Sequence, residues 1–165
     1  MLRSLEQERA KYSWECINEV KKCKDEDLED KYKSYVKKMP SYILANGLGN
    51  TLAFYKSKFG KKKKNLSSDA EAYKLLYKHI NGWFKKQFKE QYQEKFEKKE
   101  DKNIDILEWI ISENTSSIEV FQVTKEIIAL LNWMKRFAEA ELIGKEEGKE
   151  EGKEKGKEKG KEKGE

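Results

Sequence analysis

The sequence contains few of the residues that build chemical sites. Its 165 residues include one histidine, two cysteines and three arginines. His79 and two cysteines cannot supply the four ligands of a usual zinc site. Cys16 and Cys23 lie seven residues apart in a helical pattern, about 10.5 Å along the axis, which is too far for a disulfide. These absences predict a protein without metal or cofactor, with free thiols in a reducing compartment.

The sequence also lacks a long apolar run and a secretory leader. Its best apolar run, Ile127 to Leu131, ends at Asn132, far short of the roughly 20 residues that span a bilayer. Glu6 and Glu8 follow closely on Met1, where a signal peptide would be basic and then apolar. We therefore expect a cytoplasmic protein with no membrane contact.

Charged residues are abundant, with 36 Lys and Arg against 31 Asp and Glu, a net charge of +5. Residues 144–165 contain only glycine, lysine and glutamate and are neutral, so the excess belongs to residues 1–143. Six glycines oppose a helix in this tail by about 1 kcal/mol each, and no apolar side chain is available to pack. The sequence predicts a helical domain over 1–143 and a disordered tail over 144–165.

Apolar residues in 1–143 recur with helical spacing, and no segment alternates as a strand would. The pattern predicts an all-α protein, a single compact bundle of five to six helices. An acidic run at 25–30 is expected in the first turns of the second helix, near the positive end of its dipole. The last helix is expected over about 117–142, with a buried stripe comprising Val120, Phe121, Thr124, Ile127, Ile128, Leu131, Met134, Phe137 and Ala138.

Helix-breaking residues are concentrated in one place. Pro40 is expected to end or kink the second helix, and it can open the next. Gly47 and Gly49 follow, and two glycines inside a helix would cost about 1 kcal/mol each relative to alanine. The segment therefore predicts either a tight turn or a backbone that packs closely against another.

No catalytic site can be assembled from the sequence. His79 lies between Tyr77 and Ile80 and is expected on a helix surface or half-buried. Gly47 and Gly49 have neither the spacing nor the preceding strand of a nucleotide-binding fingerprint. We therefore expect no enzymatic activity and no small-molecule substrate. One catalytic alternative stays open, a ribonuclease that uses His79. In that case the His79→Ala variant would no longer cleave RNA.

Six lysines and no acid occur between Lys56 and Lys64. Such a run is either a solvated loop or a phosphate-binding segment whose affinity depends on salt. Lysine outnumbers arginine 33 to 3, which favours backbone contact over base reading. The aromatic residues that follow could stack bases, but their helical spacing favours the core; they are Trp83, Phe84, Phe88 and Tyr92.

Two blocks of sequence resemble a known family. The first is MPSYILANGLGNTLAF at 39–54, followed by Lys56-Ser57-Lys58, and the second is LLNWMKRFAEAEL at 130–142. Both resemble the small α-helical (fifth) subunit of the Cmr complex, the type III-B CRISPR effector. An N-terminal LEQERA at 5–10 with Trp14 also fits. The likeness covers about residues 2–142 with a diverged middle at 60–117, and the tail departs from the family.

The resemblance implies a non-catalytic scaffold in an RNA-guided antiviral complex, in which several copies stack and line the channel for guide and target RNA. Its partners would be other Cmr subunits, further copies of itself and both RNAs. Gly47 and Gly49 would serve the turn or its packing, and Trp133 and Phe137 the core. The residues expected to contact the RNA backbone are Lys37, Lys56, Lys58, Lys135 and Arg136, with Lys38 beside the first of them.

One alternative of another class stays open at this point. The same lysines would suit a stand-alone helical adaptor that binds an acidic protein without RNA. Salt dependence does not separate the two, because both interactions are electrostatic. RNA-length dependence does, since a stacking scaffold is expected to bind long RNA cooperatively.

Overall fold

A computed structural model describes residues 1–60, 65–90 and 105–145 of the chain. Across these residues the chain forms helices and no strand, which confirms the predicted all-α fold. The bounds are α1 (Leu5–Lys22), α2 (Glu26–Asn46), α3 (Leu48–Phe59), α4 (Ser68–Gln87), α5 (Ile106–Ile111) and α6 (Ser117–Glu141). The predictions for Lys61 to Lys64, for Tyr92 and for the tail beyond residue 145 lie outside the described residues.

Of the six helices in the described part of the chain, five begin at a side-chain cap, as the short polar residues at their starts would favour. In each case the cap accepts a hydrogen bond from a backbone N–H in the first turn; the caps are Ser4, Asp25, Ser67, Asp105 and Ser116. Glu26, Asp27 and Glu29 follow the Asp25 cap in the first turn of α2. The acidic run therefore lies where the helix dipole favours it.

Helix α2 is the centre of the bundle, packed against α3, α4 and α6. Helix α1 covers α6, and α3 lies between α4 and α5. The largest side chains buried between these helices are Trp83, Trp109, Tyr32, Tyr55 and Phe84. The choice of core over base stacking is thus confirmed for Trp83 and Phe84. No helix among the described residues is both long enough and apolar enough to cross a membrane.

Helix α2 continues through Pro40 to Asn46, so of the two effects expected of the proline the helix end is wrong. The next helix begins at Leu48, so Pro40 does not open it either. A proline inside a helix loses one backbone hydrogen bond and crowds the preceding turn. Val36, Met39 and Ile43 lie on both sides of Pro40 and are buried in the core. Their burial outweighs the local cost, because tertiary packing overrides helix propensity.

The break comes at Gly47, which separates α2 from α3 with φ 83° and ψ 159°. This backbone region is essentially restricted to glycine. Gly49 is the second residue of α3, and a Cβ added to it would be 3.2 Å from Ile110 Cγ2. Of the two alternatives for this segment, the tight turn is realised at Gly47. Gly49 contacts the Ile110 side chain of α5 and not another backbone.

Candidate RNA-binding surface

The five basic residues selected from the sequence fall in two places. Lys56 and Lys58 lie on α3, which packs against α4 and α5. Lys135 and Arg136 lie on α6, and Lys37 reaches α6 from α2, with its Nζ 3.8 Å from Glu139 Oε1. Glu139 is one helical turn beyond Lys135 and Arg136. The structure therefore brings Lys37 to the α6 group and leaves the α3 pair separate.

Lys56 of α3 binds a carboxylate that also contacts α4 and α5. Its Nζ is 2.9 Å from Oδ2 of Asp105, the residue that caps α5, and the Tyr77 hydroxyl from α4 donates to the same oxygen at 2.8 Å. Burial opposes ionisation of Asp105, but hydrogen bonds from the Glu108 backbone N–H, Lys56 and Tyr77 outweigh it and lower its pKa. Any RNA phosphate at Lys56 would compete with this carboxylate.

Lys58 is exposed and lies over aromatic rings instead. Its Nζ is 4.8 Å from the ring centroid of Phe54 and 5.9 Å from that of Tyr73. Phe54 is itself 45% exposed. A cation on an exposed aromatic ring is held by about 0.5–1 kcal/mol, so this ammonium group can still approach an anion.

We define the outer face of α6 as its solvent-facing residues from the start of the helix to its basic block: Ile118, Phe121, Gln122, Lys125, Ala129, Asn132 and Arg136. This face contains no acid, because the two acids in 118–136 point elsewhere. Glu119 belongs to the capping box of α6, and Glu126 is bound by Arg9 of α1. Arg136 and Lys125 make no ion pair with any residue in the described ranges.

Phe121 was expected in the buried stripe of α6, and that expectation is wrong: the side chain is 63% exposed. Its ring lies 5.6 Å from Lys125 Nζ. Ile118, one turn earlier, is 68% exposed, and Ile111 at the end of α5 is 73% exposed. The α5–α6 turn thus presents apolar side chains to the solvent, because no described element covers them.

Trp133 is half-buried at the edge of the α1–α6 contact, not in the core as expected. Its indole Nε1 donates to Glu6 Oε2 at 2.9 Å, and its ring lies 5.8 Å from that of Phe137, which is also half-buried. A shallow pocket of about 220 Å³ opens here; it is lined by Glu6, Ala129, Asn132, Trp133 and Arg136.

An ion-pair network lies beside this pocket and includes Glu6 from its lining. Arg9 donates to both carboxylate oxygens of Glu126, at 2.8 and 2.6 Å, and also bonds Glu6. Glu126 accepts a further hydrogen bond, at 3.1 Å, from the buried Trp83 indole. The hydrogen bond from Trp133, together with Arg9, lowers the pKa of Glu6 against the opposing effect of desolvation. Glu6 is therefore an ionised and held carboxylate.

His79 is buried, with 2% of its surface exposed, so the expected surface or half-buried position is wrong. Nε2 lies 3.0 Å from Glu19 Oε2, and Nδ1 lies 2.7 Å from the Tyr32 hydroxyl. Because the Glu19 carboxylate can only accept, Nε2 carries the proton and Nδ1 accepts from Tyr32. Burial lowers the pKa of His79 despite the opposing effect of Glu19. This geometry gives a substrate no access to the ring.

Sequence reasoning missed four contributors to the α6 surface: Glu6, Lys125, Ala129 and Asn132. A helical projection contains the signal, since these α6 positions share one side that has no acid between residues 118 and 136. Glu6 lies far away in sequence, so no local pattern could place it beside Trp133. Among the described residues, no three His, Cys, Asp or Glu side chains gather as a metal ion would require.

Comparison with protein families gives one match that covers most of the chain. The model of a family described as CRISPR-associated protein (Cas_Cmr5) matches residues 5–141. The matched range begins at the first residue of α1 and ends at the last residue of α6. It includes the first sequence block that carried the resemblance, the second block up to residue 141, and the outer face of α6.

Proposed function

The chain belongs to the Cas_Cmr5 family and is thus a subunit of the Cmr complex in CRISPR defence, within which we propose a non-catalytic scaffold that contacts the RNA backbone. The observation that carries this proposal is the outer face of α6. A helix surface with two cations and no acid attracts a polyanion, since each phosphate it neutralises releases counterions. Such contacts follow the shape and backbone of RNA more than its sequence.

The basic residues are not equal candidates for this contact. Arg136 and Lys125 point to solvent without an ion pair among the described residues, and Lys125 lies 5.6 Å from the Phe121 ring. Lys135 lies next to Arg136, and Lys37 and Lys58 are exposed with only weak partners at 3.8 Å and at an aromatic ring. Lys56 ranks last, because Asp105 already satisfies its charge.

The apolar end of the same face suits contact with protein. Ile111, Ile118 and Phe121 are each more than 60% exposed at the α5–α6 turn. Neighbouring exposed apolar side chains often mark sites of protein contact. We assign this end to contacts with other Cmr subunits or with further copies of the chain, and the basic end to RNA.

Charge reversal in the assembled complex tests the RNA contact. A complex reconstituted with Lys125→Glu/Arg136→Glu should bind target RNA more weakly than wild type, and the salt dependence of its log Kd should fall by about 1–2. The matched control is Lys22→Glu/Lys74→Glu, which changes the net charge equally at two exposed lysines on α1 and α4. Circular dichroism should show equal helix content in all three proteins.

Two results would contradict the proposal. Equal weakening by both double variants would mean that net charge, not this face, governs affinity. Unchanged RNA binding together with loss of an acidic protein partner would favour the helical adaptor instead. Purifying the tagged chain from its own cells, with mass spectrometry and RNA sequencing, separates the same two functions, because only the scaffold should bring guide RNA and Cmr subunits with it.

A further inference from the structure

The pocket beside Trp133 differs from the rest of the outer face, because it offers a ring and polar atoms as well as a cation. We infer that it receives one unpaired RNA base, which stacks on the Trp133 indole while its phosphate meets Arg136. This inference rests on the proposed RNA-binding function and sharpens it: one position on the surface would contact a base, where the other cations contact only backbone.

The indole is held in place before any ligand arrives. Its Nε1 is fixed by Glu6, Glu6 is fixed by Arg9, and the neighbouring Phe137 ring lies 5.8 Å away. A ring that is already immobilised loses little conformational freedom on binding, which favours affinity. Aromatic side chains of this kind are the usual stacking platform for bases in single-stranded RNA.

The size of the pocket limits what can enter. Its volume of about 220 Å³ lies below the range of sites that enclose a whole drug-sized ligand, about 300–1,000 Å³. Ala129 contributes only a methyl group to the lining. One flat group can therefore be held, with its attached chain left outside.

The lining has a counterpart for the face of a base, for its edge and for the phosphate of a nucleotide. The indole matches the face of the base, and the Asn132 amide can both donate to and accept from its edge. The Arg136 guanidinium matches the phosphate, for which its fork of donors is suited. A free phosphate would use only Arg136, and an aliphatic side chain would use only the ring. A nucleotide is the ligand class that uses all three.

Glu6 adds a preference among bases. Its ionised carboxylate accepts hydrogen bonds and donates none, and it lies in the lining of the pocket. Adenine, cytosine and guanine each have an exocyclic amino group that can donate to a carboxylate, whereas uracil presents a carbonyl oxygen at the corresponding position. We therefore expect the pocket to favour bases with amino groups over uracil.

The test uses the full chain labelled with nitrogen-15, in which the four tryptophans give four indole N–H signals. Titration with AMP or CMP should shift the Trp133 signal, assigned with a Trp133→Phe variant, and leave those of the buried Trp83 and Trp109 in place. UMP should bind several-fold more weakly. Ribose 5-phosphate and inorganic phosphate should leave the signal unmoved. A shift as large with ribose 5-phosphate as with AMP, or no shift with any nucleotide, would overturn the base pocket.

A second measurement separates failure of the pocket from failure of the RNA-binding function. In the reconstituted complex, Trp133→Leu should weaken RNA binding by about tenfold, as loss of one base–aromatic stack does. Wild-type affinity in Trp133→Leu, with weakened binding in Lys125→Glu/Arg136→Glu, would reject the pocket and keep the backbone contact. Wild-type affinity in both would reject the RNA-binding function itself.

Discussion

Residues 39–58 and residues 130–142 differ in what their charged and special residues contact. In the first block, Gly47 makes the α2–α3 turn, Gly49 admits Ile110, and Lys56 binds the cap of α5. In the second block, Leu130, Leu131 and Met134 are buried, whereas Asn132 and Arg136 face the solvent beside a pocket. The two blocks resemble the same family, yet one joins helices and the other presents a surface.

The difference teaches that a basic residue in a recognisable block is not by that fact a binding residue. Lys56 and Arg136 were selected by the same reasoning, and the structure gives them different surroundings. Lys56 has a carboxylate at 2.9 Å, while Arg136 borders an open pocket. Substitutions of the residues that join helices in the first block should therefore act on stability, and substitutions on the outer face of α6 should act on binding.

The largest effect is expected at Asp105, the carboxylate on which the first block depends. Asp105→Ala removes the cap of α5, worth about 1 kcal/mol, and leaves the buried Tyr77 hydroxyl without its acceptor, at about 1–3 kcal/mol. The free energy of unfolding, measured in urea, should fall by about 2–4 kcal/mol. Lys56→Met is the control, and it should cost at most about 1 kcal/mol because its ion pair is partly exposed.

The next effect is expected at the turn between α2 and α3. Gly47→Val places a β-branched residue at φ 83°, ψ 159°, at a cost of about 1–3 kcal/mol in backbone strain. The melting temperature should fall by several degrees, about 2–4 °C per kcal/mol for a chain of this size. No atom lies within 4 Å of the added Cβ, so the Cβ itself makes no clash and the backbone conformation is the expected cause of the loss.

Gly49→Ala is the matched control for that turn. Alanine gains about 1 kcal/mol of helix propensity over glycine, and its Cβ meets only a side-chain atom, Ile110 Cγ2, at 3.2 Å. The melting temperature of Gly49→Ala should stay closer to wild type than that of Gly47→Val. The reverse order would mean that close packing, and not the backbone conformation, dominates this block.

A smaller effect on stability is expected when the pH is lowered, because His79 is a buried residue that lies in neither block. Burial lowers the pKa of His79 in the folded state below its unfolded value of about 6.5. As the pH falls below that value, His79 binds a proton in the unfolded chain but not in the folded chain. The free energy of unfolding therefore decreases as the pH is lowered, until His79 is also protonated in the folded state. Urea unfolding between pH 7.5 and 5.5 should show this decline. In His79→Gln the decline should be shallower, and an equal decline would assign it to other groups.

The smallest effect on stability is expected at Arg136. The side chain is exposed, so Arg136→Gln should change the free energy of unfolding by no more than about 0.5 kcal/mol. The same substitution should weaken RNA binding by the complex. A large loss of stability in Arg136→Gln would break the division between the two blocks.

Local sequence patterns predicted the helices but not which helices pack against one another. Leu28, Tyr32, Tyr35, Val36 and Met39 have the spacing of one apolar stripe on a helix. Four of the five are buried, and Tyr35 is half-buried. Pro40 does not end α2, because the side chains on both sides of it are buried in the core. This burial is a tertiary effect that a local pattern does not contain. Periodicity also placed Phe121 in the core, since the sequence does not say where along α6 the covering helices end.

The candidate site was predictable only in part, for a related reason. The sequence blocks pointed to Lys135 and Arg136, and these lie on or next to the outer face of α6. The partners that decide what each basic residue can do come from far along the chain: Asp105 lies 49 residues from Lys56, and Glu6 lies 127 residues from Trp133. No spacing within a block encodes such pairs.

The network that joins Arg9, Glu126, Glu6 and the two indoles has a consequence for inheritance. Loss of Arg9 alone would leave the mostly buried Glu126 without its cation and Glu6 without one of its supports, and an uncompensated buried charge is among the costlier single changes a fold can undergo. Arg9 and Glu126 should therefore be replaced together or not at all in descendants of this chain. The Glu6 side chain is 62% exposed, so a descendant that has lost Trp133 should tolerate the loss of Glu6 as well.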